Sequence, residues 1–164
     1  MEHHVMPLPV GTGAPDFTLQ WTPWQTISLY HLAGRPVILA FYPAVHEPVS
    51  REQITLYQEF LPQFEKFDAQ LLGIAADSNW CHQAFAQQTG VHFPLLSDMQ
   101  PRGAVSRLYG VYREREEMTG RALFVVDRGG VIRFSEAYSD LLNPGVDELL
   151  TVLEQMRAEE NTRR

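Results

Sequence analysis

Ser50 is the residue on which chemistry in this sequence centres. It follows the apolar run Pro36-Val37-Ile38-Leu39-Ala40 and sits in the stretch Phe41 to Gln53, FYPAVHEPVSREQ. A buried strand that ends at Tyr42-Pro43 and hands over within a few residues to a helix puts Ser50 near that helix's first turn. Unpaired backbone N–H groups point outward there and suit an anion. One chemistry for a serine so placed is acyl transfer with His46 as its base. No Gly-x-Ser-x-Gly elbow surrounds Ser50, however, and His46 lies on the same short loop with no evident acidic residue to orient it. The pairing is therefore read as adjacency in sequence.

Cys81 is the only cysteine. It follows Trp80 near the start of a second expected helix, where the helix dipole can lower a thiol's pKa. The competing reading is a small apolar filler beside Ala84 and Phe85. His82, adjacent in sequence, is directed to a different face and is not an evident base for the thiol. No spacing of His, Cys and carboxylates resembles a metal site: His3 and His4 fall in an end expected to be mobile, and His31 and His92 stand alone. Neither a metal nor a cofactor is expected.

The composition narrows the partners. At 164 residues the chain fits one domain, residues 1–164, large enough to bury a core without disulfides or structural metal. A net charge of −7 and a pI near 5.3 argue against nucleic acid or an anionic membrane as a partner, since either needs a basic face. An unpaired thiol is more comfortable in a reducing compartment. The start, MEHHVMPLPVG, has neither a basic n-region nor an apolar run, and no span is long enough to cross a membrane, so the expected location is the cytoplasm.

The elements that must position Ser50 follow from periodicity. Val10 to Leu19 reads as a turn and short strand, a second strand surrounds Ile27 and Leu29, and Ala33-Gly34-Arg35-Pro36 turns into the central strand. From Pro48 the spacing of Ile54, Tyr57, Phe60, Leu61 and Phe64 is helical, with Pro62 expected to kink or divide the helix. Ala69 to Ala76 is a buried strand, and Asp77-Ser78 can cap a helix over Asn79 to Thr89. Phe93 to Ser97 is a short strand, and Gly103 to Tyr109 a short helix with Val105 and Leu108 inward. Arg121 to Asp127 and Val131 to Phe134 straddle Arg128-Gly129-Gly130, a hairpin signal. A last helix begins near Val146, with Val146, Leu149, Leu150 and Leu153 as one stripe widened by Val152 and Met156. Residues 1–9 and 158–164 are expected to be flexible. The pattern predicts an α/β fold with a mixed central sheet and helices on both faces, with the runs at Val37 to Phe41, Leu71 to Ala75 and Leu123 to Val126 as interior strands.

The segment from Pro43 to Ser50 resembles the active-site loop of the peroxiredoxins, thiol peroxidases of the thioredoxin-like fold. Their pattern is Pro, three residues, Thr or Ser, two residues, then the peroxidatic Cys. Pro43 keeps the first place, Glu47 stands where Thr is expected, and Ser50 stands where Cys is expected. Gly11-Thr12-Gly13-Ala14-Pro15-Asp16-Phe17, Leu72-Gly73-Ile74 with Asp77-Ser78, Phe93-Pro94-Leu95-Leu96-Ser97-Asp98, Tyr109-Gly110-Val111, and Arg121 ahead of Phe124-Val125-Val126-Asp127 extend the resemblance from about Val10 to Glu154.

By this resemblance Pro43 shields the pocket from water and Arg121 provides its positive charge, although a surface ion pair is the plainer role for an arginine opening a strand. Cys81 matches the helix in which some family members carry a resolving cysteine. In its cysteine form the protein would reduce hydroperoxides, drawing on a thioredoxin-like or small-thiol reductant, and a homodimer is a permitted assembly. Ser50 does not replace the cysteine, because an alcohol stays protonated near neutral pH and lacks the soft sulfur that displaces an O–O bond. Either an engineered serine has replaced a working cysteine, or the protein has lost it naturally and keeps the fold as a binding or dimerising module with Glu47 and Arg121 paired. A single engineered change leaves Glu47 unexplained, which favours natural loss.

Overall fold

A computed structural model describes residues 5–163; His3 and His4 lie outside them. In chain order the elements are β1 (Thr18–Thr22), β2 (Gln25–Ser28), a 3-10 turn (Leu29–Leu32), β3 (Val37–Phe41), α1 (Pro48–Glu59), α2 (Leu61–Glu65), β4 (Gln70–Ala75), α3 (Asn79–Thr89), β5 (Leu95–Ser97), α4 (Ala104–Leu108), β6 (Tyr112–Arg113), β7 (Met118–Thr119), β8 (Arg121–Val126), β9 (Ile132–Tyr138) and α5 (Asp147–Thr162). Seven strands form one sheet in the order β2-β1-β5-β4-β3-β8-β9, and β6-β7 is a separate hairpin. Parallel pairing joins β3 to β4 and β4 to β5, while β8 runs antiparallel to both β3 and β9.

The expected interior strands β3, β4 and β8 are interior, and their alternation shows why they are apolar throughout. Ile38, Ala40, Leu71, Leu123 and Val125 face a cluster completed by Ile54 and Tyr57 of α1, Phe64 of α2, Phe85 of α3, and Leu149, Leu153 and Met156 of α5. Leu39, Phe41, Leu72, Ile74, Ala122 and Phe124 face a second cluster with Phe17, Leu29, Val105 of α4, and Tyr109. Both faces of the mixed sheet are thus covered by helices, and the strands read as continuous apolar runs.

Pro62 divides the helix as expected: α1 stops at Glu59 and α2 restarts at Leu61 with the proline in its first turn, where a missing N–H costs nothing. Four details differ from the periodicity reading. Leu29 is buried in the 3-10 turn and not in a strand. Leu108 is exposed, and the inward position belongs to Tyr109, whose ring packs edge-on against Phe17 and Phe124. The β6-β7 hairpin has no apolar alternation to announce it. Finally, α5 continues past Ala158 to Thr162, with Glu159 paired to Arg133 and Glu160 to Arg128.

The segment joining β3 to α1 is fixed from the β4 side. Asp77, two residues past the end of β4, accepts a hydrogen bond from the Val45 N–H at 2.9 Å. Beneath it the buried His82 ring places Nε2 3.3 Å from the Asp77 carboxylate and 2.9 Å from the Tyr42 hydroxyl, with Nδ1 3.2 Å from the Leu95 carbonyl. Ser78, the next residue, caps α3 by accepting from the Cys81 N–H. Burial would raise the Asp77 pKa, but the hydrogen bonds from His82 and Val45 and the nearby charges of His82 and His46 outweigh it, so the carboxyl ends below its ordinary value.

Two measurements test this account. Phe124 is fully buried against Phe41 and Tyr109, so Phe124→Ala should lower the unfolding free energy by about 3–5 kcal/mol in urea titration. A loss under about 1 kcal/mol would contradict a tightly packed second cluster. The depressed Asp77 pKa contributes stability that is present above the unfolded carboxyl value of about 3.9 and is lost as pH falls through the lower folded value. The stability gap between wild type and Asp77→Asn should therefore be wide above about pH 5 and close toward about pH 2. An equal gap across that range would assign the Asp77 contact to shape alone.

Candidate active site

Register brings the site together. In the antiparallel pairing of β3 with β8, Phe41 lies opposite Ala122, so Arg121 falls at the level where β3 gives way to the loop. Side chains alternate along a strand, and Arg121 shares the face of Leu123 and Val125, the face that α1 covers. Its guanidinium, on a residue only 1 % exposed, therefore meets the first turn of α1. Ser50 and Arg121 are 71 positions apart in the chain and in hydrogen-bond contact.

Each guanidinium nitrogen at the fork has two acceptors. One donates to Ser50 Oγ at 3.2 Å and to Gln53 Oε1 at 2.7 Å. The other donates to Glu47 Oε1 at 3.0 Å and to the Asp140 carbonyl at 2.9 Å. Glu47 is also the N-cap of α1, its other carboxylate oxygen accepting from the Ser50 N–H at 2.8 Å, and Pro48 opens the helix. The position an anion would take at this helix start is thus filled by a carboxylate of the chain itself. Gln53 is aimed by Tyr57: its amide nitrogen donates to the Tyr57 hydroxyl at 3.2 Å, which leaves the amide oxygen for Arg121.

Burial lowers the Arg121 pKa, and the Glu47 carboxylate opposes that shift. A guanidinium still keeps its proton under any ordinary condition. Ser50 Oγ accepts from this cation, and the hydroxyl itself is wholly buried. His46 is exposed, and its charge acts on Asp77.

Pro43 is buried in the loop, between Tyr42 and the anchored Val45. For Cys81 the sequence leaves two readings open, an acidified thiol at a helix start and a small apolar filler. Burial first, and then the Asp77 charge, push its thiol pKa up. Desolvation and a neighbouring carboxylate both disfavour the thiolate. The thiol packs partly buried against the helix-side core, and it stays protonated near neutral pH.

Sequence reasoning did not single out Gln53, Asp77 or Asp140 as parts of this site. Gln53 carries a readable signal, since a residue three positions after Ser50 shares its helix face. Asp140 contributes a backbone carbonyl to Arg121, which no side-chain pattern announces. Among the described residues no group of His, Cys, Asp and Glu is arranged to hold a metal ion.

Known proteins share both sequence and architecture with this chain. Residues 10–135 match the AhpC/TSA family. Alkyl hydroperoxide reductase E of Mycobacterium tuberculosis is 41% identical over 130 residues, covering 79% of this chain and 85% of that protein. The chloroplastic peroxiredoxin Q of Sedum lineare is 31% identical over 154 residues, 90% of this chain and 78% of its own length. Among solved structures, Mycobacterium tuberculosis AhpC superimposes with a TM-score of 0.83 at 26% identity, over 94% of this chain and 96% of that one. The reduced 2-Cys peroxiredoxin of Plasmodium vivax shares the fold with a TM-score of 0.86 at 24% identity, over 94% and 85% of the two chains. With a family match across most of its length and the same sheet-and-helix arrangement, the chain belongs to the AhpC/TSA family of peroxiredoxins and has their thioredoxin-like fold.

Proposed function

We propose that this chain is a peroxiredoxin whose site reduces hydroperoxides only with cysteine at position 50, and that with Ser50 and Glu47 it is a redox-inactive member serving as a binding or dimerising module. The observation that carries this reading is the Glu47 carboxylate, held between the Ser50 N–H and Arg121. A thiolate at position 50 would need those same positive groups to stay ionised, and a carboxylate within reach raises its pKa.

In the cysteine form, the thiolate sulfur attacks one peroxide oxygen and the O–O bond breaks. The sulfur becomes a sulfenic acid, and the other oxygen leaves as alkoxide or hydroxide and takes a proton. A thioredoxin-like or small-thiol reductant then returns two electrons. Pro43 excludes water from this step and Arg121 steadies the negative charge. The chain as written lacks the sulfur, and a serine hydroxyl that accepts from Arg121 does not replace it. The cytoplasm, where a lone thiol stays reduced, is the compartment this reading favours.

The test is the second-order reaction with hydrogen peroxide, followed by loss of free thiol in a Cys81→Ser background. Ser50→Cys should react slowly, and Ser50→Cys with Glu47→Thr at least about tenfold faster, because one pKa unit is about 1.4 kcal/mol and the carboxylate offsets much of what the arginine contributes. If the single variant already matches the double, Glu47 does not obstruct the site. The serine is then better read as an engineered replacement in a working peroxidase.

A further inference from the structure

Arg121 is oriented from two directions. Glu47, Ser50 and Gln53 receive it from the α1 side, and the Asp140 carbonyl receives it from the loop between β9 and α5. This loop is short and partly self-bonded, with Leu142 N–H on the Ser139 carbonyl, Leu141 N–H on Ser139 Oγ and Gly145 N–H on Asn143 Oδ1, and at its far end the Tyr57 hydroxyl of α1 donates to the Gly145 carbonyl at 3.0 Å. Leu141, next to Asp140, is 86 % exposed. Packing of its own apolar residues therefore does not hold Asp140 in place.

A second arginine holds its side chain. The Asp140 carboxylate is paired with Arg113, whose other terminal nitrogen lies 3.4 Å from Glu116. Arg113 belongs to β6, and the β6-β7 hairpin leads through Gly120 directly into Arg121. The hairpin is itself anchored. Thr119 is buried with its hydroxyl 3.1 Å from that of Ser106, the Gly120 N–H donates to the Val111 carbonyl at 2.8 Å, and the Arg107 guanidinium sits 4.1 Å over the Tyr112 ring. Arg113 is consequently a fixed point, with a side chain only 13% exposed. One residue, Asp140, connects the two arginines, giving its carboxylate to Arg113 and its carbonyl to Arg121.

We propose that Arg113 is a positioning residue for the site: by holding the Asp140 carboxylate, it sets the carbonyl that aims the Arg121 guanidinium at position 50. The inference rests on the reading of Arg121 as the site's cation and extends it to a residue outside the site. With the Arg113 pair broken, the loop carries the carbonyl away, and the guanidinium loses the acceptor opposite α1. It then turns toward its remaining partners or toward water.

An ordinary surface ion pair would give Arg113 some stability but no influence on the charge felt at position 50. A thiol placed there reads that charge directly. In Ser50→Cys with Cys81→Ser, the thiol pKa is obtained from the pH dependence of thiolate absorbance and of alkylation rate. Arg121→Ala should raise it clearly, because it removes the nearby cation. Arg113→Ala and Asp140→Asn should each raise it by about half a unit or more, the two combined no more than either alone, and Arg113→Lys should recover part of the shift. Near-UV circular dichroism establishes that each variant retains its tertiary packing, and Asp140→Asn, which preserves shape, serves if Arg113→Ala does not fold. If Arg121→Ala raises the pKa but Arg113→Ala and Asp140→Asn leave it unmoved, the positioning role is wrong and the site reading stands. If Arg121→Ala also leaves it unmoved, both fall.

Discussion

A buried guanidinium at the end of β8 is the constraint on which the site depends. An ionised group withdrawn from water costs several kcal/mol unless its charge is matched and its donors are met. Arg121 meets most of this demand at its two terminal nitrogens, drawing acceptors from the N-cap of α1, two further residues of its first turns, and the loop before α5, while its Nε is buried without a hydrogen-bond partner among the described residues. The fold thereby acquires a convergence point that no single hydrophobic contact would produce. Removing one partner of such a buried pair typically costs about 3–5 kcal/mol, so the arrangement is kept in place by stability as much as by any reaction.

Glu47 and a reactive thiolate compete for one electrostatic resource. The start of α1 offers a partial positive charge of about half an elementary unit, and Arg121 adds a full one. A carboxylate that caps the helix and pairs with the arginine consumes both at once. It also brings two acceptor oxygens to a place where peroxide would need a donor, since an ionised carboxylate has no proton to offer. On the proposed reading, the same contacts that make Glu47 an effective cap disfavour an anionic nucleophile at position 50. The raised pKa of Cys81 has the same origin at a different place, with burial and the Asp77 carboxylate both opposing the thiolate.

The fold was legible wherever periodicity carried it. Doubly apolar runs announced β3, β4 and β8, and Pro62 announced the break between α1 and α2, because those signals arise from burial and backbone geometry. The pairing of Arg121 with position 50 followed from a motif and not from periodicity. What escaped was set by tertiary context. Tyr109 displaced Leu108 from the interior because a larger ring fits beside Phe124. The β6-β7 hairpin, with its run of charged residues, has no alternation to read. Asp77 looks like a helix cap from its place before Asn79, yet Ser78 takes the cap and Asp77 anchors Val45.

The double anchoring of the loop holds the backbone of the site independently of the side chain at position 50. Asp77 holds Val45 from the β4 side, and Glu47 holds the Ser50 N–H from within α1, so the backbone between Pro43 and Ser50 is fixed by contacts that involve no atom of the residue 50 side chain. Ser50 Oγ still accepts from Arg121, and serine differs from cysteine by one atom of modest volume. The exchange leaves no charge unpaired and no large cavity, the two routes by which a core substitution becomes severe. These contacts hold Pro43, Glu47 and Arg121 in place with any small residue at position 50 that satisfies the arginine.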